Sequence, residues 1–187
     1  TLPNFLQSIG DCFICCCYDF NKPLLLPTTL ESIGDNFMGN CTNFNQELNL
    51  YDTNVINVPN YFLNHCDSFN YDITFAKLTI SIGDYFMYES KSFNQAFESP
   101  KTLESIGESF MSYSKSFDQI IVIPRSVKHI GGDFMYAYKG WHKENLINYS
   151  SIYVALESFE MVVAKWTILA IVVIFLILSF FYYSCLE

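Results

Sequence analysis

At 187 residues, with 51% hydrophobic side chains and a mean hydropathy of +0.20, the chain is long enough for one domain and more apolar than a wholly soluble protein. A membrane segment is therefore expected. A formal net charge of −9 with only ten Lys and Arg excludes nucleic acid as a partner, because neutralising phosphates takes clustered basic side chains. The wealth of Phe, Tyr, Asn and Ile carries no functional message by itself.

The chain opens at Thr1 with TLPNFLQSIG, which matches the middle of a unit met again as LPTTLESIG at residues 26–34, so a fragment or processed product is expected. A leading aliphatic residue recurs at Ile9, Ile33, Val58, Ile82, Ile106 and Ile130, in steps of 24, 25, 24, 24 and 24. Four places after each leader stands Phe13, Phe37, Phe62, Phe86, Phe110 or Phe134, followed by Ile14, Met38, Leu63, Met87, Met111 or Met135. Eleven places after it comes a second aromatic, Phe20, Phe44, Phe69, Phe93, Phe117 and Trp141, followed by Asn21, Asn45, Asn70, Asn94, Asp118 and His142.

Between these columns each unit repeats its finer features. Gly10, Gly34, Gly83, Gly107 and Gly131 follow the leader, where a permissive backbone would allow a sharp change of direction; Pro59 stands there in the third copy. The acids Asp11, Asp35, Asp84 and Glu108 come next and are expected to open a short turn of helix. Leu24 and Leu26, Leu48 and Leu50, Ile73 and Phe75, and Ile121 and Ile123 are spaced two apart, which predicts strand with both side chains on one face. Pro3, Pro27, Pro100 and Pro124 end that strand. Leu6, Leu30, Val55, Thr79, Leu103 and Val127 then point inward three places before the next leader.

A unit of this length cannot bury its own apolar face. Successive copies must stack, which predicts a β-rich solenoid of about six 24-residue coils over residues 1–142. The pattern LPTTLESIGDNFMGNCTNFNQELNL resembles the BspA-like leucine-rich repeats, whose LPxxLxxIGxxAFxxC unit has Leu, Pro, Ile, Gly, Phe and Cys at matching offsets. It departs in carrying Phe-Met where that family has Ala-Phe one step earlier. The resemblance implies a right-handed leucine-rich repeat on a surface or adhesion-type protein that binds protein or carbohydrate.

Residues 143–164 lose the pattern and are assigned as a C-terminal cap and juxtamembrane connector, because an open repeat end exposes unpaired strand edge. Residues 166–183, WTILAIVVIFLILSFFYY, hold no charge and are long enough, with a flanking turn, to cross a hydrocarbon core as a transmembrane helix spanning 165–185. Trp166 at one end and Phe181, Tyr182 and Tyr183 at the other suit the two membrane interfaces. The membrane is thus one predicted partner, through residues 166–183, and single-pass anchoring at the C-terminus is the predicted localisation. Lys165 alone places the repeats in the cytosol, as in a tail-anchored scaffold; the family resemblance places them outside the cell.

No reaction is named by the sequence. His65, His129 and His142 stand apart from any repeated acid or nucleophile, and no phosphate-cradling glycine run or zinc-hydrolase spacing occurs, so no enzyme activity, cofactor or metal is expected. Cys12, Cys15, Cys16 and Cys17 form CxxCCC, for which a metal or iron–sulfur role lacks a second Cys/His pair. Cys17, Cys41 and Cys66 fill one column that continues as Ser90, Ser114 and Tyr138, which favours packed thiols over disulfides. The Asn21, Asn45, Asn70, Asn94 column is read as a ladder bonding neighbouring coils. The candidate ligand-facing surface is the set of variable residues between columns: Gln46, Glu47, Asn49, Tyr71, Asp72, Thr74, Gln95, Glu98, Gln119 and Val122.

Overall fold

The computed structural model describes residues 2–119 and 121–137, and residues 146–148 as backbone. The chain divides into two compact units, Thr1–Ala155 and Leu156–Glu187, and all described residues lie in the first. The proposed transmembrane helix and most of the cap lie outside the described residues. Among the described residues no helix is long and apolar enough to cross a membrane.

The first unit is a stack of coils held by parallel pairing. Six short strands carry the leaders: β1 (Ser8–Ile9), β2 (Ser32–Ile33), β4 (Asn57–Val58), β6 (Ser81–Ile82), β7 (Ser105–Ile106) and β9 (His129–Ile130). β1 pairs β2, and β4, β6, β7 and β9 form a four-stranded sheet in register, leader against leader. The break between β2 and β4 has a covalent cause. Gly34, Gly83, Gly107 and Gly131 each donate their N–H to the leader carbonyl of the coil before, at 2.8–2.9 Å. Pro59 has no N–H to give Ile33.

A second parallel set comprises β3 (Leu48–Asn49), β5 (Ile73–Thr74), β8 (Ile121–Ile123) and β10 (Leu146–Asn148), joined in part by a bridge from Phe97 to Ile121. β10 pairs β8, so the sheet continues past residue 142. The first copy makes no strand here; Leu24 and Leu26 are half-buried.

Two stacks of phenylalanine fill the interior. Phe13, Phe37, Phe62, Phe86, Phe110 and Phe134 lie ring over ring with centroids 5.1–6.0 Å apart, and Phe20, Phe44, Phe69, Phe93 and Phe117 repeat the arrangement at 5.7–6.0 Å. Phe37, Phe44, Phe62, Phe69, Phe86, Phe93, Phe110 and Phe117 are wholly buried. Each contributes about 2 to 3 kcal/mol by leaving water, and each near-parallel pair about 1 kcal/mol more. Thr79, the polar member of its inward column, is also fully buried and donates its hydroxyl to the Val55 carbonyl at 3.2 Å.

Two expectations are corrected by the corner that follows the leader. Among the described residues no glycine has positive φ, so the glycine column does not serve a change of direction. It serves close approach: a Cβ on Gly34 would stand 2.4 Å from the Asp11 nitrogen, and one on Gly107 2.4 Å from the Gly83 carbonyl carbon. The left-handed conformation falls instead on non-glycine residues, at Cys12, Asn36, Tyr61, Tyr85, Ser109 and Asp133, and again at Cys16, Asn40, His65, Glu89, Tyr113 and Ala137, with φ of 53–62°. A single such residue costs on the order of 1 kcal/mol. In the first five coils it turns the N–H of these residues toward the next coil, as in Asn36 to the Asn60 carbonyl at 2.9 Å and His65 to the Tyr88 carbonyl at 2.8 Å.

The acids do not open a helical turn either. Asp11, Asp35 and Asp84, with Asn60 in the third copy, accept the backbone N–H of the corresponding residue one coil on: Asp35 N–H donates to Asp11 Oδ1, Asn60 N–H to Asp35 Oδ1, Asp84 N–H to Asn60 Oδ1 and Glu108 N–H to Asp84 Oδ1, at 2.7–3.0 Å. The physical need is the same as at a helix start, an acceptor for an orphan amide, but the amide belongs to the neighbouring coil.

Candidate binding surface

The asparagine column acts as a structural ladder. Asn45 N–H donates to Asn21 Oδ1, Asn70 N–H to Asn45 Oδ1, Asn94 N–H to Asn70 Oδ1 and Asp118 N–H to Asn94 Oδ1, at 2.9–3.0 Å. Three of the candidate surface residues are drawn into it. Gln46, Gln95 and Gln119 are half-buried and donate their side-chain amides to Asn21, Asn70 and Asn94 at 3.1–3.2 Å. They brace the ladder and leave little of their amides for a ligand.

The other candidates stand on the exposed face of the second sheet. Asn49, Thr74, Glu98 and Val122 project from successive coils between buried neighbours such as Leu48 and Leu50, or Ile121 and Ile123; Glu47, Tyr71 and Asp72 are exposed beside them. Thr74 Oγ1 donates to Asn49 Oδ1 at 2.8 Å, fixing that pair. A pocket of about 550 Å³ opens here, lined by Tyr51, Asp72, Thr74, Lys77, Glu98 and Lys101 among others. Lys77 Nζ lies 4.4 Å from the centre of the Tyr51 ring, a cation–π contact that holds the ring at the pocket edge. A smaller pocket of about 240 Å³ includes Leu25, Glu47 and Asn49.

Tyr51, Lys77 and Lys101 were absent from the sequence-derived surface. A signal for Tyr51 exists: the one 25-residue step places its extra residue between Leu50 and Val55, and Tyr51 stands in that enlarged loop. Lys77 and Lys101 occupy variable positions after the strand, with no comparable mark.

The cysteine column has a common rationale with the serines that replace it. Cys41 Sγ donates to the Ile14 carbonyl and Cys66 Sγ to the Met38 carbonyl at 3.0 and 3.2 Å; Ser90 and Ser114 make the same bond to Leu63 and Met87 at 2.8 Å. Burial is the main force raising both thiols, Cys41 to about 11 and Cys66 in the same direction. The six described cysteines are unpaired. Within CxxCCC, Cys15 is raised to about 11, first by its hydrogen bond with Cys12, then by burial and the neighbouring Cys12 and Cys16. Such a thiol is protonated at neutral pH, a poor nucleophile. Among the described residues no group of three or more His, Cys, Asp or Glu is placed to hold a metal ion. His65 is half-buried, 3.6 Å from Glu89 and edge-on to Tyr88.

Stacked coils of 24 residues, parallel strands, an inward ladder of aliphatic and aromatic side chains and a variable exposed strand face define a leucine-rich repeat solenoid. The class can be narrowed. The chain belongs to the BspA type leucine-rich repeat family, which it matches in six copies over residues 7–140. Comparison with curated proteins and with solved structures returned no match.

Proposed function

We propose that the protein is a membrane-anchored leucine-rich repeat that presents the exposed face of its second sheet to a protein or carbohydrate partner in surface adhesion, without enzymatic activity of its own. The observation that carries this reading is the pocket between Tyr51, Asp72, Thr74, Lys77, Glu98 and Lys101, set in a row of side chains the repeat leaves free to vary. An aromatic ring among hydrogen-bonding and charged groups offers a stacking platform and orienting contacts together. The uncharged run at residues 166–183 supplies the anchor. Protease treatment of intact cells should release the repeats; repeats untouched until the membrane is permeabilised would overturn surface display.

One observation favours a second reading, a tail-anchored scaffold with cytosolic repeats. Cys12, Cys16 and Cys17 are exposed and unpaired, as a reducing compartment permits. An impermeant thiol reagent decides between the two. Labelling of sealed cells supports display outside, and labelling only after permeabilisation supports the scaffold.

A further inference from the structure

Lys77 and Lys101 hold the same place on successive coils, five residues before the leaders Ile82 and Ile106, and both line the strand-face pocket of about 550 Å³. Earlier coils carry Asn4, Thr28 and Thr53 there, so the repeat itself asks for no charge. Both lysines are exposed, and among the described residues neither makes an ion pair, although Asp72 and Glu98 line the same pocket. Lys91 and Lys115 are likewise one coil apart, but Lys91 is neutralised by Asp67 at 2.7 Å and neither lines the pocket.

The stack fixes where the two pocket cations stand. Thr102 Oγ1 donates to the Lys77 carbonyl at 3.2 Å and Ser126 Oγ to the Lys101 carbonyl at 2.9 Å, each from one coil on. Their backbones are therefore held near the spacing of paired strands, about 4.8 Å. The Tyr51 ring, 4.4 Å from Lys77 Nζ, steadies the first ammonium at the pocket edge. Like charges so placed repel each other, and an anion set between them relieves the repulsion.

We propose that this pocket binds an anionic glycan of the uronate class, with a sugar carboxylate between Lys77 and Lys101 and the hydroxyls of the adjoining neutral ring donating to Asp72 and Glu98. The inference rests on the strand-face reading and names the ligand class of that same site. Mixed charge selects the occupant. A densely charged chain, such as an acidic peptide, would set anions against Asp72 and Glu98, whereas a sugar brings hydroxyl donors to them. Thr74 Oγ1, which donates to Asn49, keeps lone pairs for a further hydroxyl.

The test is fluorescence anisotropy of the full chain with a labelled oligosaccharide of alternating glucuronate and N-acetylglucosamine. Lys77→Gln with Lys101→Gln should weaken binding about tenfold, and Lys77→Arg with Lys101→Arg should retain most of it. Lys91→Gln with Lys115→Gln removes as much charge at the same coil spacing and should change affinity less than about twofold, as expected for screened distant charges. Added salt should weaken the parent's binding and barely move that of the Lys77/Lys101 glutamine variant. Equal loss from both glutamine pairs, a neutral N-acetylglucosamine oligosaccharide bound as tightly, or displacement of the sugar by an Asp/Ser peptide would overturn the proposal. A parent that binds neither sugar would overturn it too, yet leave the strand face to a protein partner; surface display fails separately, in the protease test on intact cells.

Discussion

Replacing Gly107 by Ala tests what sets the spacing of the coils. The added Cβ would lie 2.4 Å from the Gly83 carbonyl carbon and 2.5 Å from the Asp84 nitrogen, and both are backbone atoms that cannot swing aside. Ordinary contact requires the two coils to part by roughly 1 Å at that point. The opening would stretch the Gly107 N–H bond to the Ile82 carbonyl, now 2.8 Å, and the Glu108 N–H bond to Asp84 Oδ1, now 2.7 Å. Two hydrogen bonds at about 1 kcal/mol each, with about 2 kcal/mol of overpacking, exceed the roughly 0.5 kcal/mol gained by stiffening the unfolded chain. The expected loss is about 3.5 kcal/mol, which in urea lowers the midpoint by about 1.8 M for a slope near 2 kcal/mol/M. Gly10→Ala is the control: nothing lies within 4 Å of its Cβ, and the same measurement should show no loss. Equal losses at both positions would refute the close-approach account.

Further outcomes follow from the ladders. Cys66→Ser should cost less than about 1 kcal/mol in urea unfolding, because Ser90 and Ser114 already make the equivalent bond; Cys66→Ala should cost about 1.5 kcal/mol by losing that bond and leaving a void at a fully buried site, the Met38 carbonyl still accepting the Cys41 N–H. The pH dependence has a definite sign. Burial raises the Cys41 thiol from 9.0 to about 11, so the folded state retains a proton that the unfolded chain releases. This stability is fully present below pH 9.0 and is lost as pH rises toward about 11, with Cys66 acting in the same direction. The double variant Cys41→Ser with Cys66→Ser should therefore lose less stability than the parent as pH rises from 9.0 toward about 11. Phe86→Ala, which interrupts one wholly buried stack between Phe62 and Phe110, should cost about 4 kcal/mol in the same unfolding assay.

The repeat was legible because stacking imposes one chemical demand per column, six times over. Phe37 or Phe86 taken alone is an unremarkable apolar residue; its recurrence marks the inside of a coil. The glycines and acids were located correctly as columns but given the wrong work, for one physical reason. Read within a single coil, a glycine after a strand suggests a turn and an acid after it suggests a helix start. Their partners lie one coil away: Gly34 is small because Gly10 and Asp11 pass beneath it, and Asp35 is an acceptor because the Asn60 amide faces it. Contacts 24 or 25 residues apart are visible in a sequence only once the period is known and each column is read against its own neighbours.

The binding surface was less legible because binding makes no comparable demand. Gln46, Gln95 and Gln119 look variable in sequence yet are engaged by the asparagine ladder, whereas Tyr51 looks like loop filler yet edges the pocket. What separates them is conformity to the repeat. Glutamine recurs at three of its column's positions and is held by the stack, while Tyr51 stands in the single one-residue insertion, and Tyr61, Tyr85, Tyr88, Tyr113 and Tyr136 stand in columns that other coils fill with Cys, Asn, Gly, Ser, Asp, His, Glu or Ala. A solenoid can carry such departures without loss of fold, since each coil is held by the same ladders on either side. In this chain, side chains that break the column pattern on an exposed face therefore point to recognition more strongly than side chains that keep it.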